Sequence, residues 1–397
     1  MAIELDRGGV YRAVNTVRIQ GKINAFHSRR YLENRRRQTT RTRNMNYLQL
    51  ICLALACCYF FILPAAIFGK SDSNEGSANE NLVKGEKSLG KTNIKTKTLG
   101  GMQFWTDVLH FSDWRIQQNA MTKHYRLLSP KGTRYGWGNY AHCLEELEKI
   151  KRDQSLPRMD GKAIILVHGL GRSRESMEPL ARYLREHSDY RIINVSYAST
   201  RGSLAEHANE LQRILENLEG IREINFVGHS LGNLVIRRCL QDMLDPETSK
   251  PNDPRIRRMV MLGPPNNGAQ LAERFLKFGM FKLVLGKSAI ELAHNWETLS
   301  ENLAIPPFEF GIIAGNGGRL NNPLIEGESD LIVSTDEAKL PGAADFRVIN
   351  GMHTFLMQST EAQKMTLSFL QNGYFTSRDA MQPIENVQAK EEPSTSE

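Results

Sequence analysis

Cysteine is scarce in this chain, five residues in 397, and Cys52, Cys57 and Cys58 fall inside one apolar run. Cys143 and Cys239 are left for the remainder, which excludes a disulfide framework, and no spacing suits a zinc site. Each of the two reads as a small buried hydrophobe, with a bridge between them left open. The chain also lacks a charge excess outside its N-terminal segment. The net charge is +7, yet residues 1–46 hold 11 Lys/Arg against 3 Asp/Glu, leaving 40 basic against 41 acidic residues in the rest. A nucleic-acid-binding face on the folded part is therefore disfavoured. There is no internal repeat, which excludes solenoids and propellers.

A long run without charge is present. Tyr47 to Phe68 is mostly Leu, Ile, Ala, Cys and Phe, and at about 1.5 Å per residue it can span a bilayer core. Arg29, Arg30, Arg35, Arg36, Arg37, Arg41 and Arg43 precede it. The positive-inside rule then predicts a basic cytoplasmic segment over 1–46, a signal anchor over 47–69, and everything later on the far side of the membrane. Translation from Met45 would instead make the run a cleaved signal and the protein secreted. Residues 70–100, rich in Ser, Asn, Gly, Lys and Glu, read as a disordered linker, and 376–397 as a disordered tail. Residues 101–158 read as an extension built of a hairpin over 114–137 and a helix over Ala141–Arg152.

From 159 to 375 the pattern alternates between strands and helices, predicting an α/β domain with a mostly parallel sheet of about six strands flanked by helices. The expected strands are Ala163–Val167, Arg191–Ser196, Glu223–Val227, Arg258–Leu262, Glu309–Ala314 and Phe346–Asn350. The expected helices are Ser176–His187, Leu204–Leu218, Leu231–Leu244 and Thr360–Asn372.

One seven-residue stretch carries the chemistry: Phe226-Val227-Gly228-His229-Ser230-Leu231-Gly232. A strand runs into Gly-x-Ser-x-Gly with a helix straight after, the context of a nucleophile elbow. The turn is so tight that residues two positions either side of Ser230 must be small, and Gly228 and Gly232 are. An incidental serine in a strand-to-helix turn is the plain alternative. A serine nucleophile needs N–H donors, a base, and an acid that orients the base. The strand Ile164–Val167 ends in His168-Gly169-Leu170-Gly171, which offers the Leu170 N–H beside that of Leu231 as an oxyanion pair. His168 and His229 read as structural. The acid and base should follow the serine in that order. His353 sits after the last strand, where a base belongs, whereas His294 falls in a helix-like stretch. Asp330 is the favoured acid, with Asp336, Glu337 and Asp345 as alternatives.

These segments together resemble the α/β-hydrolase family and, within it, the lipase and esterase branch. The resemblance rests on Leu166–Gly171, Gly228–Gly232, the Asp330 and His353 pair, and Met261–Ala269, which is similar to a "Gly-Thr-Pro-His-x-Gly" segment but has Pro265-Asn266-Asn267 there. It implies a serine carboxylic-ester hydrolase acting through an acyl-enzyme on a lipid or other ester, with no metal or organic cofactor. The two strands that open many members are not evident. In such enzymes the region following that segment often forms a lid, and 271–303, rich in Phe and Leu, reads either as one or as ordinary core helices. An acyltransferase with the same triad is the nearest alternative, and amidase or thioesterase chemistry stays open. A non-catalytic membrane-tethered module is the alternative of a different class.

Overall fold

The computed structural model of the protein describes residues 96–97, 102–268, 296–317 and 332–385. The expected N-terminal segment, Tyr47–Phe68, nearly all of the linker, most of 271–303, His294 and Asp330 lie outside the described residues. Among the described residues no helix is long and apolar enough to cross a membrane.

The described chain opens with a five-stranded antiparallel sheet of strands β1 (Thr96–Lys97), β2 (Trp105–Phe111), β3 (Trp114–Asn119), β4 (Tyr125–Leu128) and β5 (Thr133–Gly138), in the order β1-β5-β4-β3-β2. The sequence predicts a hairpin from 114 onward, so β2 was not anticipated. Its seven residues are all buried, and Thr106, Asp107 and His110 interrupt the apolar ones. Helix α1 (Tyr140–Asp153) follows, capped by Asn139, whose side chain accepts from the His142 N–H. Cys143 of α1 and Cys239 are both free and buried.

A second sheet is wholly parallel. Its strands are β6 (Gly161–Val167), β7 (Arg191–Val195), β8 (Ile221–His229), β9 (Ile256–Leu262), β10 (Phe310–Gly315) and β11 (Asp345–Ile349), in the order β11-β10-β9-β8-β6-β7. All six expected strands form, with ends displaced by at most two residues. The helices between them are α2 (Glu178–His187), α3 (Leu204–Glu216), α4 (Leu231–Met243), α5 (Trp296–Glu301), the short α6 (Thr335–Ala338) and α7 (Thr360–Asn372). Successive side chains of a strand face opposite ways, and β6 shows why its run is continuously apolar. Ala163, Ile165 and Val167 join a cluster that also holds residues of β2, β3, α1, α3 and α4. Ile164 and Leu166 join another, with residues of α2 and α7. A parallel sheet covered on both faces requires apolar residues at every position.

The antiparallel sheet does not extend the parallel one. The two meet where the Asp107 N–H donates to the Ser196 carbonyl at 2.8 Å, just beyond β7. Among the described residues the parallel sheet thus has six strands, with the N-terminal strands forming a separate sheet. Residues 376–385 correct another expectation. Instead of a disordered tail they run beside β11: Phe346 donates to the Gln382 carbonyl and Ile384 to that of Ala343, both at 2.9 Å. The fully buried carboxylate of Asp345 explains it, accepting the Phe375 and Gln382 N–H groups at 3.0 Å each.

The connectivity places the site. After β6 the chain goes out to the edge as β7, then returns to the other side of β6 as β8. Crossovers leaving in opposite directions open a crevice at the carboxyl ends of the two central strands. Val167 pairs with Gly228 across them, so the loops after β6 and β8 emerge side by side.

Candidate active site

Ser230 stands between β8 and α4 with φ 52° and ψ −124°, a conformation disfavoured for any residue with a Cβ. Two backbone hydrogen bonds hold it there: its N–H donates to the Leu262 carbonyl, and its own carbonyl accepts from the Asn233 N–H, both at 3.0 Å. The Asn233 amide adds a third, to the Ser230 carbonyl at 3.1 Å. Ser230 is the N-cap of α4, yet its side chain makes no capping bond.

The elbow glycines are required by close approach. A Cβ on Gly228 would lie 2.3 Å from Asn233 Oδ1 and 2.8 Å from its backbone nitrogen. Gly169 brings the β6 loop against the serine, since a Cβ there would sit 3.1 Å from the Ser230 Cβ and 3.0 Å from His229 Nδ1. Gly171, at φ 64°, turns the same loop. Leu231 is the first residue of α4, so its N–H lacks an intrahelical acceptor. Among the described residues neither it nor the Leu170 N–H is taken up by a backbone acceptor. The close approach at Gly169 brings the backbone of the β6 loop beside the serine.

His353 begins the 3-10 turn His353–Gln358 that follows β11, and is buried. It is tied to the elbow through its neighbour: His229 Nε2 donates to the His353 carbonyl at 2.9 Å, and the two rings lie 4.9 Å apart. Burial first, then the nearby His353, holds His229 well below the ordinary histidine range, so it is a neutral donor. His229 therefore has a more definite place than the packing role its sequence suggests. The favoured acid, Asp330, falls outside the described residues. The alternatives are committed elsewhere. Asp345 anchors the C-terminal segment at the amino end of β11, away from the crevice. Glu337 is buried in the capping box of α6, accepting from Ser334 N at 2.8 Å. Asp336 is largely exposed beside Lys339. Asn266, standing in the Pro-Asn-Asn segment, is a strut: it accepts from Arg237 Nη1 at 3.0 Å and donates to the Ala338 carbonyl at 2.9 Å.

A set of residues that sequence reasoning did not single out holds the β6 loop. The Tyr197 ring stacks on His168 at 4.3 Å, and its hydroxyl donates to the His168 carbonyl at 2.7 Å. The Ser199 hydroxyl accepts from the Gly171 N–H at 3.1 Å. The segment 196–199 is itself fixed by the antiparallel sheet. Ser196 N donates to Asp107 Oδ2 at 2.7 Å, and Ala198 N to Thr106 Oγ1 at 3.1 Å. An isolated buried carboxylate costs several kcal/mol, on the order of the Born penalty after relaxation. Asp107 also accepts from Gln117 at 2.7 Å and meets His110 at 3.0 Å. Although burial opposes it, His110 and Arg115 keep its pKa well below the usual carboxylate range. The only sequence signal was an uncharged run, Ser196 to Thr200, directly after a buried strand.

Burial lowers the His168 pKa from 6.5 to about 4. As pH falls below 6.5 the unfolded chain takes up this proton while the folded chain does not until about 4. Stability is therefore present above 6.5 and lost through that window, on the order of 3 kcal/mol for this group, with His229 acting in the same direction. The expected result is a melting temperature that falls between pH 6.5 and 5, with a shallower slope in His168→Gln. Identical slopes would show that this histidine does not set the acid sensitivity.

A parallel sheet with this switch point, and a strained serine between a central strand and a helix, define the α/β-hydrolase class. Residues 164–348, just under half of the chain, match the model of the alpha/beta hydrolase family. A search of curated proteins returns no match. Among solved structures, the product of gene lin2722 from Listeria innocua is 20% identical, with a TM-score of 0.38, covering 54% of this chain and 95% of that one. Bacillus licheniformis lipase BlEst2 in its propeptide form is 17% identical at a TM-score of 0.43, covering 58% of this chain and 53% of that one. A thermophilic esterase from Thermogutta terrifontis is 15% identical at 0.36, covering 55% and 92%.

Proposed function

We propose that the protein is a serine carboxylic-ester hydrolase that works through an acyl-enzyme on an ester with an apolar acyl group. The observation that carries this reading is Ser230 itself, held at φ 52° with its hydroxyl uncommitted by capping and the Gly169 backbone packed against it. Strain of this kind persists only where surrounding structure enforces it, and it concentrates at functional sites.

His353 takes the Ser230 proton as the hydroxyl attacks the ester carbonyl. The Leu170 and Leu231 N–H groups stabilise the oxyanion, and Asp330 orients the imidazole and balances its charge. His353 then protonates the departing alcohol and activates water to release the acid. The apolar residues of 271–285 suit an acyl chain. The reading includes Tyr47–Phe68 as a membrane anchor with Ser230 beyond the membrane, supported by the arginines before it.

The test is covalent. A fluorophosphonate probe is expected to label Ser230 and to stop hydrolysis of p-nitrophenyl esters, with one equivalent bound per chain. An unlabelled, folded protein would sink the proposal and favour a binding module on a hydrolase scaffold. Turnover that accelerates with added alcohol and yields a new ester would identify acyl transfer.

A further inference from the structure

A cavity of about 230 Å³ lies along the outer edge of β7, between the β2–β3 turn and α2, and it is rich in arginine. Arg115, Arg174, Arg185 and Arg191 line it, against one lining carboxylate, Asp113. It exists because β2 meets the β7 side of the molecule at Asp107 and Ser196 without continuing the parallel sheet. None of its residues belongs to the candidate active site.

The four guanidinium groups are not equally engaged. Arg185 pairs with Glu178 at 2.7 Å and Arg191 with Asp160 at 3.4 Å, both towards solvent. Arg115 is different: its side chain is 9% exposed, its contact with Asp107 is a long 3.8 Å, and its Nε–H has no acceptor. Asp107 is already occupied by Gln117, His110 and Ser196. Arg174 is half-buried, and its side chain makes no ion pair among the described residues. Burial lowers the Arg115 pKa; Asp107 opposes this, and the nearby Arg174 cation adds to it. Two adjacent guanidiniums that repel one another are relieved by a shared anion.

A second orphan group lines the same cavity. Asn194, 2% exposed, donates to the Arg174 carbonyl at 2.9 Å and Glu178 at 3.3 Å, but its own Oδ1 is buried without a donor. A buried polar atom without a partner has given up its bond to water and gained none in return. The cavity therefore asks for a ligand that offers charged acceptors to Arg115 and Arg174 and a hydroxyl donor to Asn194.

We propose that this cavity is a binding site for a phosphate monoester that carries a free hydroxyl group. A phosphate bears about −1.5 to −2 charge at neutral pH and three acceptor oxygens, and it matches the planar guanidinium fork. The same chemistry occurs in soluble polyol phosphates and in lipid headgroups. The site does not depend on the reaction at Ser230, so it stands or falls separately.

Calorimetric titration of the full chain with glycerol 1-phosphate, inorganic phosphate, glycerol and dihexanoyl phosphatidic acid tests it. Glycerol 1-phosphate is expected to bind at one site, more tightly than inorganic phosphate, with glycerol giving no heat. Arg174→Gln, at a half-buried position that leaves the core intact, is expected to weaken binding at least tenfold, the size of one charge-assisted hydrogen bond of roughly 1.5–3 kcal/mol. Tighter binding of dihexanoyl phosphatidic acid that is lost in Arg174→Gln assigns a lipid headgroup, whereas equal or weaker binding assigns a soluble ligand. No saturable heat with either phosphate monoester at millimolar concentration, or affinity unchanged in Arg174→Gln, overturns the proposal and leaves a water-filled cavity.

Discussion

Ser230→Gly is expected to abolish ester turnover and at the same time to raise the melting temperature. Loss of the nucleophile alone lowers kcat by about a million-fold in a triad hydrolase. The gain in stability comes from the backbone. At φ 52° and ψ −124° the Ser230 Cβ is in a conformation costing about 1–3 kcal/mol. Glycine adopts it freely, at an entropic cost of about 0.5–1 kcal/mol. The hydroxyl makes no capping bond, so removing it forfeits none. The net expectation is roughly 1 kcal/mol, or about 2–4 °C in a domain of this size. Scanning calorimetry together with p-nitrophenyl ester kinetics measures both. A Ser230→Gly protein that melts lower than the parent would mean the turn is not strained, and retained turnover would remove Ser230 from the mechanism.

Gly232→Ala is expected to be the more damaging change, although it adds one methyl group. The new Cβ would stand 2.2 Å from the Val167 carbonyl oxygen and 2.7 Å from that of His168. Both are backbone atoms of β6 and its loop, so no side-chain rotation relieves the clash. Overpacking of this sort costs about 1–3 kcal/mol or more. Relief requires α4 and the β6 loop to separate, and these carry Leu231 and Leu170, the proposed donors. A displacement near 1 Å at a catalytic centre costs about a hundredfold in rate. The expected signature is a lowered melting temperature with a fall in kcat larger than any change in KM. Parental values of both would show that the two loops are not in contact.

The sequence made the parallel sheet legible because strands buried on both faces must be apolar throughout, as Ile164–Val167 and Phe226–Val227 are. The elbow was legible because its geometry tolerates few residue types. Thr360–Asn372 was bounded to the residue, with a serine cap before it and Gly373 in a left-handed conformation after it. What escaped notice was held together by polar groups. Strand β2 was obscured by Asp107, a carboxylate whose burial depends on Gln117 and Ser196 as well as the nearby His110, and no local pattern announces the bond to Ser196, 89 residues away. The placement of residues 376–385 depends in the same way on Asp345. His229 was legible as a member of the motif, but its bond to the His353 carbonyl joins positions 124 residues apart. Glu337, one of the alternative acids, is buried where it closes a capping box.

The bonds from Thr106 and Asp107 to the segment beyond β7 bear on where the working unit begins. The family match starts at residue 164, more than fifty positions after them. A fragment cut at that boundary keeps every residue assigned to chemistry and loses the clamp that seats Tyr197 and Ser199 under the His168–Gly171 loop. On the proposed function, the smallest active piece is expected to be longer than the matched segment and to include the antiparallel sheet that holds this loop.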